Sequence, residues 1–313
     1  MSAQRRWPVL AWTSIIVLAC VAFDVVLHDL SEWAFDFDYF ENGLPHSVVV
    51  ESGNFNLAAS VGFAVIFGYL AWMYLRSRRE LGRSGLRTGQ RFFAPIAAIA
   101  FLGVLESAFV FPTPFRPEII TAVADAVPFV LLGALLSCVA RSAINGESRA
   151  EERRTSWQSM LWIALFFVGG RYLVSYPMLH IVSGYLTRPV GTLIWTVGCG
   201  LGMGAFYWLA GSGFSSATPL GKAVRVGLTL GVFWLMFALF LALISAVSIA
   251  DLAIRAGADA AYLAAGVYGF ERLFRRRVAL SSGGSSGSNV AALESWAEAR
   301  RTVQPSGGPT RAE

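Results

Sequence analysis

Ionisable side chains are scarce inside the long apolar stretches of this chain. Almost all of those that occur lie toward the same side of the membrane: Asp24, Glu106, Asp125, Arg171 and His180, then Asp251, Arg255 and Asp259. In hydrocarbon such groups are costly, so they face a cavity, water or a partner. A carboxylate placed there can take up and release a proton, either to couple to a substrate or to act as acid and base. Glu106 and Asp125 are the candidates for that role. Arginine does not shed its proton, so Arg171 needs an anion: Glu106 or Asp125, or the anionic group of a ligand. Asp24 and His28 are four residues apart and share a helix face. Asp251, Arg255 and Asp259 repeat at the same spacing. That ladder has two readings, a self-neutralising pin between helices or a substrate or proton site.

The three histidines are His28, His46 and His180, and all fall on the same side as the carboxylates. With Asp24, Asp38 or Glu41 they have the donor types that zinc takes. They are far apart in sequence and form no HxxxH or HExxH pair. No metal and no cofactor is therefore expected. The three cysteines, Cys20, Cys138 and Cys199, each lie in an apolar stretch without CxxC spacing. They read as small core residues, not as a disulfide framework or a zinc site.

The elements that carry these groups are membrane helices. Of 313 residues, 55% are hydrophobic and only 14% charged, against about 25% charged in a soluble domain. Eight apolar stretches, near 9–27, 56–75, 92–111, 119–140, 158–181, 190–210, 224–249 and 257–274, are each long enough to cross a bilayer. In lipid every backbone group must be satisfied within its segment, which makes them helices, and the barrel alternation of polar and apolar residues is lacking. The expected fold is an all-α polytopic bundle of eight spans over 1–278, followed by a flexible cytoplasmic tail over 279–313.

Charge sets the orientation. The net charge is +5, and its distribution follows topology, not nucleic-acid binding. Arg76, Arg78, Arg79, Arg83, Arg87 and Arg91 fill one loop, and Arg141, Arg149, Arg153 and Arg154 another on the same side. The loop over 28–55 carries Asp29, Glu32, Asp36, Asp38, Glu41 and Glu51 and no basic residue. Basic loops stay in the cytoplasm, so both termini are expected there and the acidic end outside. Trp7, Trp33, Trp157 and Trp195 fall near the expected interfaces. Residues 281–288 read as a flexible linker, and 289–301 as a frayed tail or a short amphipathic surface helix. Membrane lipids are the partners implied, with a small-molecule or lipid-like substrate besides where the polar pocket is functional.

Glycine and proline add packing information. Gly200 and Gly204 form a GxxxG pair, which lets two helices approach closely. Pro95 falls in the first turn of its expected span. Pro128 and Pro177 lie deeper and free carbonyls there. Pro128 does so three residues from Asp125, as in the broken helices that line transporter sites.

Residues 54–135 resemble the DUF63 family, archaeal multi-spanning membrane proteins of unknown function. The Asn-rich start of a span is matched by Asn56, Ser60, Phe63 and Ala64, an RFF-like start by Arg91, Phe92 and Phe93, and an RVLED-like element by Val104, Leu105 and Glu106. Gly103 and Ser107 stand where that family has arginine and aspartate, and its later His-and-Asp motif has no counterpart. The resemblance implies no activity, but it singles out Asn56 and Glu106. Cys199-Gly200, followed by Arg225 and Arg255, is also similar to the cysteine and arginine elements of exosortases, without their serine or a later histidine.

Three readings of the chain stand. One is a carrier with an outward-facing polar pocket for a small solute or lipid-like substrate. Another is an intramembrane enzyme acting on a lipid or lipid-linked substrate. The third is a structural or partner-binding protein whose charges only pair.

Overall fold

The computed structural model describes residues 6–37, 45–78, 80–81, 85–110, 113–142, 155–216 and 218–273. It is all-α, as the apolar stretches require. The helices are α1 (Arg6–Phe35), α2 (Val48–Glu51), α3 (Phe55–Ser77), α4 (Leu86–Val110), α5 (Phe115–Ser142), α6 (Gln158–Gly170), α7 (Pro189–Ala210) and α8 (Pro219–Ile244), then α9 over 249–273. The chain forms two compact units, Met1–Tyr268 and Gly269–Glu313. The second is described only over 269–273, so the expected tail at 279–313 lies outside the described residues.

Among the described residues, six helices are long and apolar enough to cross a membrane: Val9–Phe35, Phe55–Ser77, Leu86–Phe109, Phe115–Val139, Pro189–Gly213 and Pro219–Ile244. The protein is a multi-pass membrane protein by this measure. Two of the eight expected stretches differ. The one at 158–181 is helical only to Gly170, passes through a π-helical turn at Arg171–Ser175, and then leaves the helix. Tyr176 N donates to the Arg171 carbonyl five residues back, and Met178 N and Leu179 N both reach Val174 O. Pro177 sits between them without an N–H to continue the ladder. The stretch at 257–274 begins earlier, at 249. It is long, but Asp251, Arg255 and Asp259 in its first three turns set it apart from the six apolar helices.

Two other expectations change for local reasons. α1 does not stop at Leu27 but continues as helix to Phe35, taking His28, Asp29 and Glu32 with it. α4 starts at Leu86, so Pro95 sits in its interior and not in its first turn. Pro128 lies inside α5.

Packing follows residue size. α4 lies against α5 and α7, α6 against α7, and α1 against α5 and α3, while α3 meets α8. The GxxxG face does what its spacing suggests: a Cβ on Gly204 would stand 2.3 Å from the Met160 carbonyl oxygen, so α7 runs directly on the α6 backbone. Gly170 faces the Tyr262 ring, and Gly227 faces Ala260 and Ala264, which seats α9 against both α6 and α8. Large apolar side chains such as Leu18, Val65, Leu165, Leu193 and Leu228 point outward, as in a bundle solvated by lipid.

α8 opens with Thr218, whose Oγ1 accepts from Gly221 N at 3.0 Å, and with Pro219 in its first turn. At its other end the chain pairs back on the segment before α2. Ser47 N donates to Ile244 O at 3.0 Å and Ala246 N to Pro45 O at 2.9 Å. This short bridge closes the α8–α9 turn at the end of the bundle that holds the carboxylates.

Candidate functional site

Arg171 is the first residue of the π-helical turn and is 1% exposed. Its Nε donates to Asp259 Oδ1 at 2.9 Å, and its Nη2 bonds the other oxygen of the same carboxylate. Its Nη1 is 3.6 Å from Glu106 Oε1. The guanidinium lies 4.6 Å from the centre of the Trp195 ring and 5.3 Å from that of Phe167. Trp195 is fixed in turn by its indole N–H on Leu102 O at 2.6 Å. Of the two expected partners, Glu106 lies within ion-pair distance and Asp125 does not, while Asp259, 88 residues away, takes the bidentate place. The Trp234 indole N–H donates to Asp259 Oδ2 at 2.9 Å, so both oxygens of that carboxylate are occupied.

The second arginine extends the network. Arg255 Nη1 bonds Glu106 Oε1, and its Nη2 reaches the Val182 carbonyl and, at 3.3 Å, Asp251 Oδ2. The ladder on α9 is therefore split. Arg255 joins Asp251 to Glu106, whereas Asp259 turns to Arg171. Two arginines and three carboxylates from α4, the π turn and α9 are thereby held together, each charge with a partner, as burial requires.

A separate cluster forms where α1 meets α5. His28 Nε2 is 2.9 Å from Asp125 Oδ1, and Asp24 lies one turn below on the same face of α1. Asp24 and Asp125 are 1% and 5% exposed. Neither carboxylate has an arginine or lysine partner among the described residues.

Two cavities open beside these groups. The larger, about 290 Å³, is walled by Phe237, Phe240, Leu241 and Leu252 among others. It is lined by four carboxylates, Glu106, Glu118, Asp125 and Asp251, and one arginine, Arg255. The smaller, about 170 Å³, takes in Asp24, His28, Asn56 and Glu32. Asp125, Phe240 and Ile244 line both and form the partition between them.

Of the residues singled out from sequence, Glu106, Arg171, Asp251, Arg255 and Asp259 meet in one network. Asp24, Asp125 and Asn56 gather around the smaller cavity. His180 joins neither: it is exposed, with a positive φ of 49° in the turns after Pro177. Cys199 is wholly buried in α7 and lines neither cavity, and Arg225 Nη1 is bonded to Ser215 O, so the exosortase-like elements do not assemble around an accessible thiol.

Sequence reasoning missed Glu118, which is 4% exposed and faces the larger cavity. It sits one residue before the expected start of its span, in the first turn of α5, where a carboxylate suits the helix dipole. Trp234 was hidden among apolar neighbours of α8. Only its indole N–H, a donor that seeks a partner when buried, marks it. Comparison with family models, curated proteins and solved structures gives no match.

Proposed function

We propose that this protein is a carrier of small amphipathic or lipid-like solutes, with both termini cytoplasmic and the carboxylate end outside. In this reading the bundle crosses the bilayer eight times. The six apolar helices are joined by α6 with its π turn and by α9, whose charges are matched inside the bundle. The arginines at 76, 78, 87 and 91 supply the inside bias.

One observation carries the reading. Four helices, α4, α5, α8 and α9, wall a cavity of about 290 Å³ lined by apolar side chains and by four carboxylates against one arginine. Such a pocket favours an apolar body bearing a cationic or hydrogen-bonding head. The paired Arg171, Asp259, Glu106 and Arg255 support a second role for the charges. Networks of this kind have alternative pairings, which a carrier needs if one helix group is to move against another. The resemblance of residues 54–135 to the DUF63 family supplies no activity and adds nothing here.

The test is uptake of tetraphenylphosphonium into proteoliposomes containing the full chain. Saturable uptake above protein-free vesicles, competed by other amphipathic cations and reduced by Glu118→Gln, is the expected result. Uptake equal to that of protein-free vesicles would overturn the reading. The enzyme reading rests on the carboxylate–histidine contact of Asp125 and His28. It predicts instead a chemically altered product when the protein is incubated with labelled membrane lipid.

A further inference from the structure

We infer that Asp24, His28 and Asp125 form a binding site for a divalent transition-metal ion of the zinc class. One ligand atom from each residue, a ring nitrogen of His28 and a carboxylate oxygen from each aspartate, lies within 4.8 Å of the other two. In a tetrahedral zinc site with bonds of 2.0–2.2 Å, ligand atoms stand about 3.4 Å apart. The His28–Asp125 contact of 2.9 Å would open by tenths of an ångström, and the others would close by side-chain rotation.

A second observation points to a ligand. Asp24 Oδ1 is buried and has no hydrogen-bond partner among the described residues, while its side chain lines the smaller cavity. Asp24 is 1% exposed. An orphan carboxylate oxygen in such a place is costly. The contrast with the neighbouring network is direct: there arginines match the carboxylates, whereas here no arginine or lysine among the described residues does. A cation held by both aspartates and the imidazole would satisfy the orphan oxygen and balance the two acids together.

The donor set favours a transition ion over magnesium, because an imidazole nitrogen suits zinc, cobalt or nickel whereas magnesium takes oxygen and water. The cavity of about 170 Å³ beside the three ligands leaves room for a water or a further ligand in the fourth position. Asp125 also lines the larger cavity, so an ion here would sit in the partition between the two spaces. The inference concerns binding alone and does not depend on transport.

The experiment uses full-length protein in detergent, freed of its tag, stripped with EDTA and titrated with Zn²⁺ by calorimetry. One ion per chain is expected, with Kd of about 1 µM or tighter. Asp24→Asn and Asp125→Asn should each weaken it at least about tenfold, whereas Glu51→Gln, at the same end of the bundle, should not. X-ray absorption of the zinc-loaded parent should show one imidazole, oxygen donors and no sulfur. That result stands even if the variants fold poorly. Binding no tighter than in the Asp24→Asn/Asp125→Asn double variant would overturn the assignment. Sulfur or several imidazoles at the metal, or displacement of zinc by equimolar Mg²⁺, would overturn it equally.

Discussion

Replacing Arg171 with alanine removes the only guanidinium on Asp259 among the described residues. That carboxylate is 1% exposed and would keep a single donor, the Trp234 indole N–H at 2.9 Å. Glu106 would keep Arg255. The change therefore strands one buried carboxylate, and breaking a buried pair in this way costs about 3–5 kcal/mol. The stacking of the guanidinium on Trp195 is lost as well, so the upper part of that range is expected. Because the loss comes from the orphaned charge, Asp259→Asn in the Arg171→Ala background should recover part of it. Asp125→Asn should recover none, since Asp125 belongs to His28. Stability would be read by dodecyl sulfate titration in mixed micelles, following tryptophan fluorescence. An Arg171→Ala protein that unfolds with the parent would refute the reasoning, and rescue by Asp125→Asn in place of Asp259→Asn would refute the pairing.

Other changes probe single contacts. Trp234→Phe removes the donor to Asp259 and keeps the ring, so it should cost about 1.5–3 kcal/mol, the value of a hydrogen bond to a charged group. Gly204→Ala sets a methyl against the Met160 carbonyl and should destabilise by about 1–3 kcal/mol in the same titration; no change would mean that α6 and α7 are not in backbone contact. Tyr176→Phe breaks the bond of 2.9 Å to Thr196 Oγ1 and should cost about 1 kcal/mol, visible as a smaller shift of the same midpoint.

The sequence shows which end of the bundle is polar more readily than which groups pair there. Arg171 is conspicuous because it is a lone arginine in an apolar run. Its partner is not, because Asp259 lies 88 residues away and the pairing is a tertiary contact that no local spacing carries. Equal spacing on α9 suggests a closed ladder, yet Arg255 bonds Glu106 on α4 and Asp259 bonds Arg171 in the π turn. The length of α1 is illegible for the opposite reason. His28, Asp29 and Glu32 break the apolar pattern, and the contact of His28 with Asp125, 97 residues on, is a tertiary fact that no local pattern carries. Long helices and the GxxxG contact were legible because they rest on composition and residue size alone. Glu118 fell outside because the end of an apolar run is a poor guide to the end of a helix.

The claim on which the carrier reading depends is that the carboxylate end of the bundle faces outward. Single cysteines placed at Phe40, Ser107 and Ser84 in a Cys20→Ser/Cys138→Ser/Cys199→Ser background, treated in intact cells with a membrane-impermeant maleimide, test it most directly. The thiols at 40 and 107 should be labelled from outside, the latter through the larger cavity that Ser107 lines, and the thiol at 84 only after lysis. Labelling of position 84 in intact cells, with 40 and 107 protected until lysis, would contradict the orientation and the outward opening of the cavity together.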